Sequence, residues 1–340
     1  MTIPRTPLRR AAAALTAALV LSGCSFDPAA QAPFSDQTEQ MPPAKMPKAT
    51  PDGAPGAGKS HSGKQDSSGD PCAVDDTTLA ACLPTVTALV GIDMSRGLAA
   101  TEDGAVWDIR PGLQPTVLTD AGGPVRQLVA SPTVFEDGQV FVLMESGQVR
   151  RLTVLPNNRV DWRDLDTLRE PAVLTAPKRP GAEPEPLFSD DERIELISAC
   201  TQEAGPPTLL STMLEGVPLI SQWDGFLLSP VTGVSFDNSI GGCVVVNKTL
   251  IVAVPGAQQV VAIELQLDGA DEFSSWTTKG APEVLVDGQF GHIEALAAVP
   301  GPDGVEIWGG TINRRMGTGG AADDRIVRIP SDGAGGASPV

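Results

Sequence analysis

From Leu89 onward, apolar positions come in short runs separated by glycine-bearing turn signals. Residues 89–109, LVGIDMSRGLAATEDGAVWDI, hold such runs around turns at Ser95-Arg96-Gly97 and Glu102-Asp103-Gly104. Residues 125–154, VRQLVASPTVFEDGQVFVLMESGQVRRLTV, repeat the arrangement with turns at Asp137-Gly138 and Ser146-Gly147. Residues 231–267 read as a meander reversing at Asn247-Lys248 and Pro255-Gly256. In residues 290–330, Ile293, Ala295 and Ala297 alternate with small or polar neighbours, and Pro302-Asp303-Gly304 supplies the positive φ of a reverse turn. Val305, Ile307 and Trp308 resume the strand pattern, and Ile326, Val327 and Ile329 end the unit with β-branched residues. Short strands with close-set turns predict an all-β chain. A strand–turn–strand unit of about 40 residues is the size of one β-propeller blade. The chain after Pro71 is long enough for six lean blades, so the expected fold is a six-bladed propeller over residues 72–332, with an unstructured tail at 333–340. Between the units, residues 169–186 are rich in proline and charge and read as an exposed insertion, whereas Ile194–Ile197 and Leu209–Ile220 can each supply strands.

Composition agrees with this pattern. The 340 residues include 36 glycines and 31 prolines, which favour turns over helices, while 41% hydrophobic content allows a core. A formal charge of −18 sets nucleic acid aside as a partner, because both are anionic.

The first 71 residues have a different character. Arg5, Arg9 and Arg10 precede an apolar run from Ala11 to Leu21, too short for a membrane span and laid out as a signal peptide over residues 1–23. Leu21-Ser22-Gly23-Cys24 follows, and this resembles the bacterial lipobox. The resemblance implies cleavage before Cys24, its acylation, and stable anchoring in membrane lipid at the outer face of the cytoplasmic membrane after general secretion. Residues 24–71 are rich in proline, alanine, glycine, serine and lysine with few large apolar residues, the composition of an unstructured tether. His61 falls inside it and reads as solvent-exposed.

Four cysteines remain besides Cys24. An even number in an exported chain points to two disulfides, and four cysteines allow three pairings. Cys72 and Cys82 flank a short loop and are expected to pair, which leaves Cys200 with Cys243. Metal ligation is the rival reading, but no C-x-x-C or Cys/His cluster accompanies them.

The late unit also carries a family resemblance. Gly291 to Ala295, the Pro302-Asp303-Gly304 turn, Trp308, Thr311-Ile312-Asn313-Arg314 with Gly317, and Asp323-Asp324-Arg325-Ile326 resemble, in order and spacing, the late blade of the PQQ-dependent glucose/sorbosone dehydrogenases, in their actinobacterial lipoprotein branch. The resemblance spans roughly residues 72–330, strongest at the end. It implies a propeller whose central well holds the site, with a histidine as general base, arginines and a lysine on the PQQ carboxylates, and calcium activating the quinone.

This chain departs from that set. The family's Gly-Arg-hydrophobic-Arg strand aligns with Gly291-His292-Ile293-Glu294, so one arginine is His292 and the other is reversed in charge to Glu294. The segment expected to carry the base, LFSDDERIELISACTQEAG, has no histidine, and Leu228-Ser229-Pro230-Val231 is the nearest counterpart of the calcium-binding turn. No other hydrolase, nucleotide-binding or zinc-protease motif is present. His292 is read first as a hydrogen-bonded strand residue of the channel, second as a ligand contact beside Glu294, Arg314 and Arg315. Asn313 and Arg314 are expected to pin the loop beneath the last strand, with a ligand role second. Trp107, Trp223 and Trp308 read as blade-packing residues. The acidic clusters Asp75-Asp76, Asp190-Asp191-Glu192 and Asp323-Asp324 read as turn residues rather than metal ligands. The expected function is therefore non-catalytic binding of a glycan or an envelope protein, with no cofactor and no metal. The alternative is an active PQQ- and calcium-dependent sugar dehydrogenase with a rearranged site.

Overall fold

The computed structural model describes residues 72–130, 139–169, 172–177, 179, 182–202, 208–225, 227–268, 275–318 and 324–330. The expected signal peptide, Cys24, the tether with His61, the Asp137-Gly138 turn, Asp323 and the tail at 333–340 lie outside those residues. Among the described residues the regular structure is strand apart from two short 3-10 turns.

The chain opens with β1 (Thr78–Ala81). Blade 1 follows as the meander β2 (Val86–Asp93), β3 (Arg96–Thr101), β4 (Ala105–Ile109) and β5 (Thr116–Asp120). Blade 2 repeats it with β6 (Val125–Ala130), β7 (Gln139–Met144), β8 (Gln148–Val154) and β9 (Val160–Thr167). A two-stranded hairpin comes next, β10 (Ala172–Thr175) with β11 (Glu185–Phe188). The following sheet contains β12 (Ile194–Ala199), β14 (Thr208–Leu214), β15 (Val217–Trp223) and β16 (Leu228–Pro230). Between β12 and β14, β13 (Thr201–Gln202) crosses to pair parallel with β17 (Cys243–Val246) of the next sheet. That sheet continues through β18 (Thr249–Val254) and β19 (Gln259–Asp268), on which both β20 (Ser275–Thr278) and β21 (Glu283–Asp287) pair. The last sheet is β22 (Ile293–Gly301), β23 (Gly304–Thr311) and β24 (Arg325–Ile329), completed on its outer edge by β1 from the start of the domain. Ring closure thus uses strands from both ends of the domain.

The propeller is confirmed and its blade count is corrected. Five sheets have four or more strands, and the remaining place in the ring, between β6 and β12, is taken by the β10–β11 hairpin. The expected exposed insertion at residues 169–186 is corrected with it, because Ala172–Thr175 is a fully buried strand. Its four residues are too few to show alternation, and the prolines and charges around them mask it.

The core consists of wedges between neighbouring sheets. One joins Val90, Leu98 and Val106 of blade 1 to Leu128, Val142 and Leu152 of blade 2. Another joins Leu89 and Ala99 of blade 1 to Ala297, Val299 and Trp308 of the last sheet. Trp308 is completely buried there, as expected of a packing residue. Gly97 belongs to this seam rather than to a turn. The reversal lies at Met94-Ser95, with Ser95 at φ 51°, while a Cβ on Gly97 would stand 2.8 Å from the Trp308 ring. The other reversals of the sequence reading that lie within described residues, 102–104, 146–147, 247–248, 255–256 and 302–303, occur where expected, whereas residues 231–242 are mainly irregular.

Both disulfides form as paired in the sequence reading. Cys72–Cys82 closes the loop around β1, and Cys200–Cys243 bolts the β12 sheet to the β17 sheet beside the parallel β13–β17 contact.

Candidate functional site

The innermost strands β2, β6, β12, β17 and β22 surround a central cavity of about 210 Å³. Its polar lining includes Thr87, Arg126, Glu145, Ser198, Glu294 and Arg315. Each arises at a particular register. Thr87 and Arg126 are the second residues of β2 and β6, Glu145 heads the β7–β8 turn, and Arg315 sits on the loop between β23 and β24.

Glu294 is placed by a close backbone approach. The Gly242 N–H donates to the Glu294 carbonyl at 2.6 Å, and a Cβ on Gly241 would come within 2.6 Å of that same oxygen. Only a pair of glycines lets the chain entering β17 lie against β22 in this way. The Glu294 carboxylate faces the cavity with Arg315 Nη1 3.6 Å from its Oε2. Burial pushes its pKa above the usual carboxylate value, and Arg315 opposes that shift without cancelling it. Arg126 donates from Nη2 to the Leu196 carbonyl at 2.7 Å, which ties blade 2 to β12 across the mouth of the cavity.

The five residues expected to form one well fall into three places. Glu294 and Arg315 line the channel together. His292 and Asn313 meet elsewhere, where the His292 backbone N–H donates to Asn313 Oδ1 at 2.8 Å and Asn313 Nδ2 donates to the Phe290 carbonyl at 2.9 Å. The His292 ring is buried and points at the turn after β18. Its Nδ1 lies 2.7 Å from the Pro255 carbonyl, which can only accept, and Gln258 Nε2 is 3.2 Å from its Nε2. Nδ1 therefore carries the proton and Nε2 accepts, so both ring nitrogens are engaged in bracing the loop. Gly291 makes room for this arrangement, since at φ 75° its Cβ would stand 2.1 Å from Asn313 Oδ1.

Arg314 occupies the third place. Its backbone N–H donates to Asp324 Oδ1 at 3.0 Å, and its guanidinium reaches outward to Glu102 at 3.8 Å. Asp324 is fully buried and also accepts from the Thr85 hydroxyl at 3.0 Å, so it staples the loop between β23 and β24 to blade 1. Arg126, Glu145, Thr87 and Ser198 were missed in the sequence. For Thr87 and Arg126 the available signal was positional, a polar residue second in the first strand of a unit, whereas Ser198 near the end of β12 and Glu145 in a turn carried no such signal.

The acidic pairs in described residues act locally. Asp75 accepts from the Thr77 and Thr78 N–H groups, which lowers its pKa, and Asp191 is held at about 2 by the Arg193 side chain and backbone. Among the described residues no three of His, Cys, Asp and Glu come together as a metal-ligating group.

No protein-family model matches the chain, and no curated protein is significantly similar to it in sequence. Its fold, however, is shared by solved structures. The PQQ-bound aldose sugar dehydrogenase of Streptomyces coelicolor superposes with a TM-score of 0.53 at 15% identity, over 74% of this chain and 96% of that one. A putative oxidoreductase (glucose dehydrogenase) of Thermus thermophilus gives 0.52 at 16% identity, over 74% and 98%. At such identities the likeness speaks for the propeller and not for the chemistry.

The lining of this channel does not suit PQQ, the polyanionic quinone bound in the Streptomyces coelicolor structure. Holding several carboxylates needs cations in excess. Among the described residues, the lining arginines Arg126 and Arg315 are matched one for one by Glu145 and Glu294, and Arg315 is already turned to Glu294.

Proposed function

We propose that this chain is an exported, lipid-anchored propeller at the outer face of the cytoplasmic membrane that binds a neutral glycan in its central channel without oxidising it. The charge-balanced mouth, with Glu294 and Arg315 where a cofactor-binding channel needs surplus cations, is the observation that carries this reading. A partly buried carboxylate beside a guanidinium suits sugar hydroxyls, which donate to one and accept from the other. The cavity of about 210 Å³ lies below the roughly 300–1,000 Å³ of drug-sized sites, a size for one sugar unit. His292, engaged through both ring nitrogens, is withdrawn from service as a base.

The decisive experiment is a calorimetric titration of the full chain with PQQ in the presence of calcium, together with a glycan array. The expected result is no PQQ binding, with retention of a neutral glycan that weakens about tenfold or more in Glu294→Gln, the loss of one charge-assisted hydrogen bond. Tight PQQ binding with dye-linked sugar oxidation overturns the reading in favour of a dehydrogenase. Anchoring is tested separately, because Cys24→Ala is expected to shift the protein from the membrane to the soluble fraction or to block its processing. An unchanged membrane fraction removes that part of the proposal.

A further inference from the structure

A second polar centre lies at the opposite end of blade 1 from the Glu102–Gly104 turn on which Arg314 rests. Arg96 begins β3, Arg110 follows β4, and both guanidiniums converge on one carboxylate, Asp108. Arg96 donates from Nε to Oδ1 at 2.8 Å and from Nη2 to Oδ2 at 3.1 Å. Arg110 donates from Nε and Nη2 to Oδ2 at 3.2 and 2.9 Å. Blade 2 adds Asn158, whose Oδ1 accepts from both Nη2 groups at 3.0 Å. Asn157 and Asn158 hold left-handed backbone at φ 74° and 60°, a turn that asparagine tolerates and that aims this amide at the arginines.

The charge count is uneven. The Asp108 side chain is only 3% exposed and balances one arginine, so one positive charge is left over in a chain of −18. Two partly exposed guanidiniums held side by side over a single buried carboxylate present surplus positive charge to solvent, where an added anion is attracted. Both Nη1 groups make no hydrogen bond among the described residues and neither is sealed from solvent, which leaves one NH2 group on each arginine available to donate. Met94, Leu113 and Leu155, two or three residues from Arg96, Arg110 and Asn158 respectively, are exposed large apolar side chains on the same loops.

We infer that Arg96 and Arg110, oriented by Asp108 and Asn158, form a binding site for a phosphate group, with the exposed Met and Leu side chains favouring a phosphate monoester that carries an alkyl moiety. With their Nε and Nη2 edges held on Asp108 and Asn158, the two guanidiniums keep fixed positions from which their Nη1 groups can donate to different oxygens of one tetrahedral anion. The site stands apart from the central channel, and its failure leaves the glycan reading untouched.

The test titrates the full chain with inorganic phosphate and with hexyl phosphate, against chloride at equal ionic strength, following thermal unfolding and calorimetry. The expected result is a rise of a few degrees in Tm with phosphate, several-fold tighter binding of hexyl phosphate, and loss of both effects in Arg110→Gln. That variant leaves Asp108 paired with Arg96 and is expected to fold, and Arg110→Lys, which keeps the charge without the fork, is expected to bind weakly. Phosphate acting no more strongly than chloride, or binding retained in folded Arg110→Gln, overturns the site. Equal affinity for the two phosphates overturns the role of the apolar side chains.

Discussion

Glu294 is the residue at which the sequence departs most from its resemblance, and its environment gives that departure a measurable consequence. Its folded-state pKa is raised by burial, so only in the pH range between the unfolded and folded values does the folded protein bind more protons there than the unfolded chain. Stability from this group is therefore full below the ordinary glutamate value of 4.5 and falls as pH rises through the folded pKa. Glu294→Gln is expected to unfold at or above the wild-type temperature at pH 7, with the gap closing toward pH 4. Thermal unfolding across pH 4–8 measures this. A variant less stable than wild type at pH 7, with the loss shrinking as pH falls and the carboxylate protonates, means that the Arg315 contact dominates and that the carboxylate is held for stability.

The β10–β11 hairpin is the thin element of the ring, and a single side chain compensates for it. Gln127 of β6 donates from Nε2 to the Leu174 carbonyl at 3.1 Å and accepts the Leu174 N–H at 3.0 Å. A side-chain amide here does the work of a neighbouring peptide group, and all of these atoms are buried. Gln127→Leu keeps the volume and leaves both Leu174 groups unpaired, at about 1–3 kcal/mol each. The expected loss is roughly 2–6 kcal/mol by urea unfolding, with near-normal strand content by circular dichroism, and a loss below about 1 kcal/mol would show that other partners substitute. On the other edge, Pro186 in β11 has no N–H to offer, which blunts the strand against pairing with another chain. This element also marks the limit of the sequence reading. Ile293–Gly301 and Gly304–Thr311 were legible because long alternating strands flank a Pro-Asp-Gly turn. Ala172–Thr175 was hidden because four buried residues, three of them apolar, carry no period, and because its pairing depends on Gln127, 47 positions away. The candidate site was half legible for the same reason. Glu294 and Arg315 could be picked out near the late-blade motif, but Arg126 and Glu145 reach the channel only through ring closure, and His292 turns away because the Pro255 carbonyl captures its ring.

The whole molecule depends on closing a ring, and its two cross-links act at different points of that closure. Cys72–Cys82 ties the segment leading into β1, the strand that completes the last sheet, and encloses a sequence separation of 10 residues. Cys200–Cys243 closes a sequence separation of 43 residues and fastens one sheet to the next at the channel wall, beside the parallel β13–β17 pairing. Chain entropy of the unfolded state favours the longer loop, with about 4 kcal/mol expected for the latter against about 3 kcal/mol for the former. Position widens the gap. The stretch from β14 to the end of residues 231–242 lies wholly within the larger loop, so opening it frees an entire seam, whereas β1 keeps its backbone pairing to β24 and the Arg328 N–H bond to the Thr77 carbonyl when its disulfide is removed. The double variant Cys200→Ala/Cys243→Ala is expected to lose more stability in urea than Cys72→Ala/Cys82→Ala, and to lose ligand in the channel with it, because Cys243 lines that cavity beside Gly241 and Gly242. If the outer pair proves the costlier to remove, closure through β1, rather than the seam beneath the site, limits the stability of the propeller.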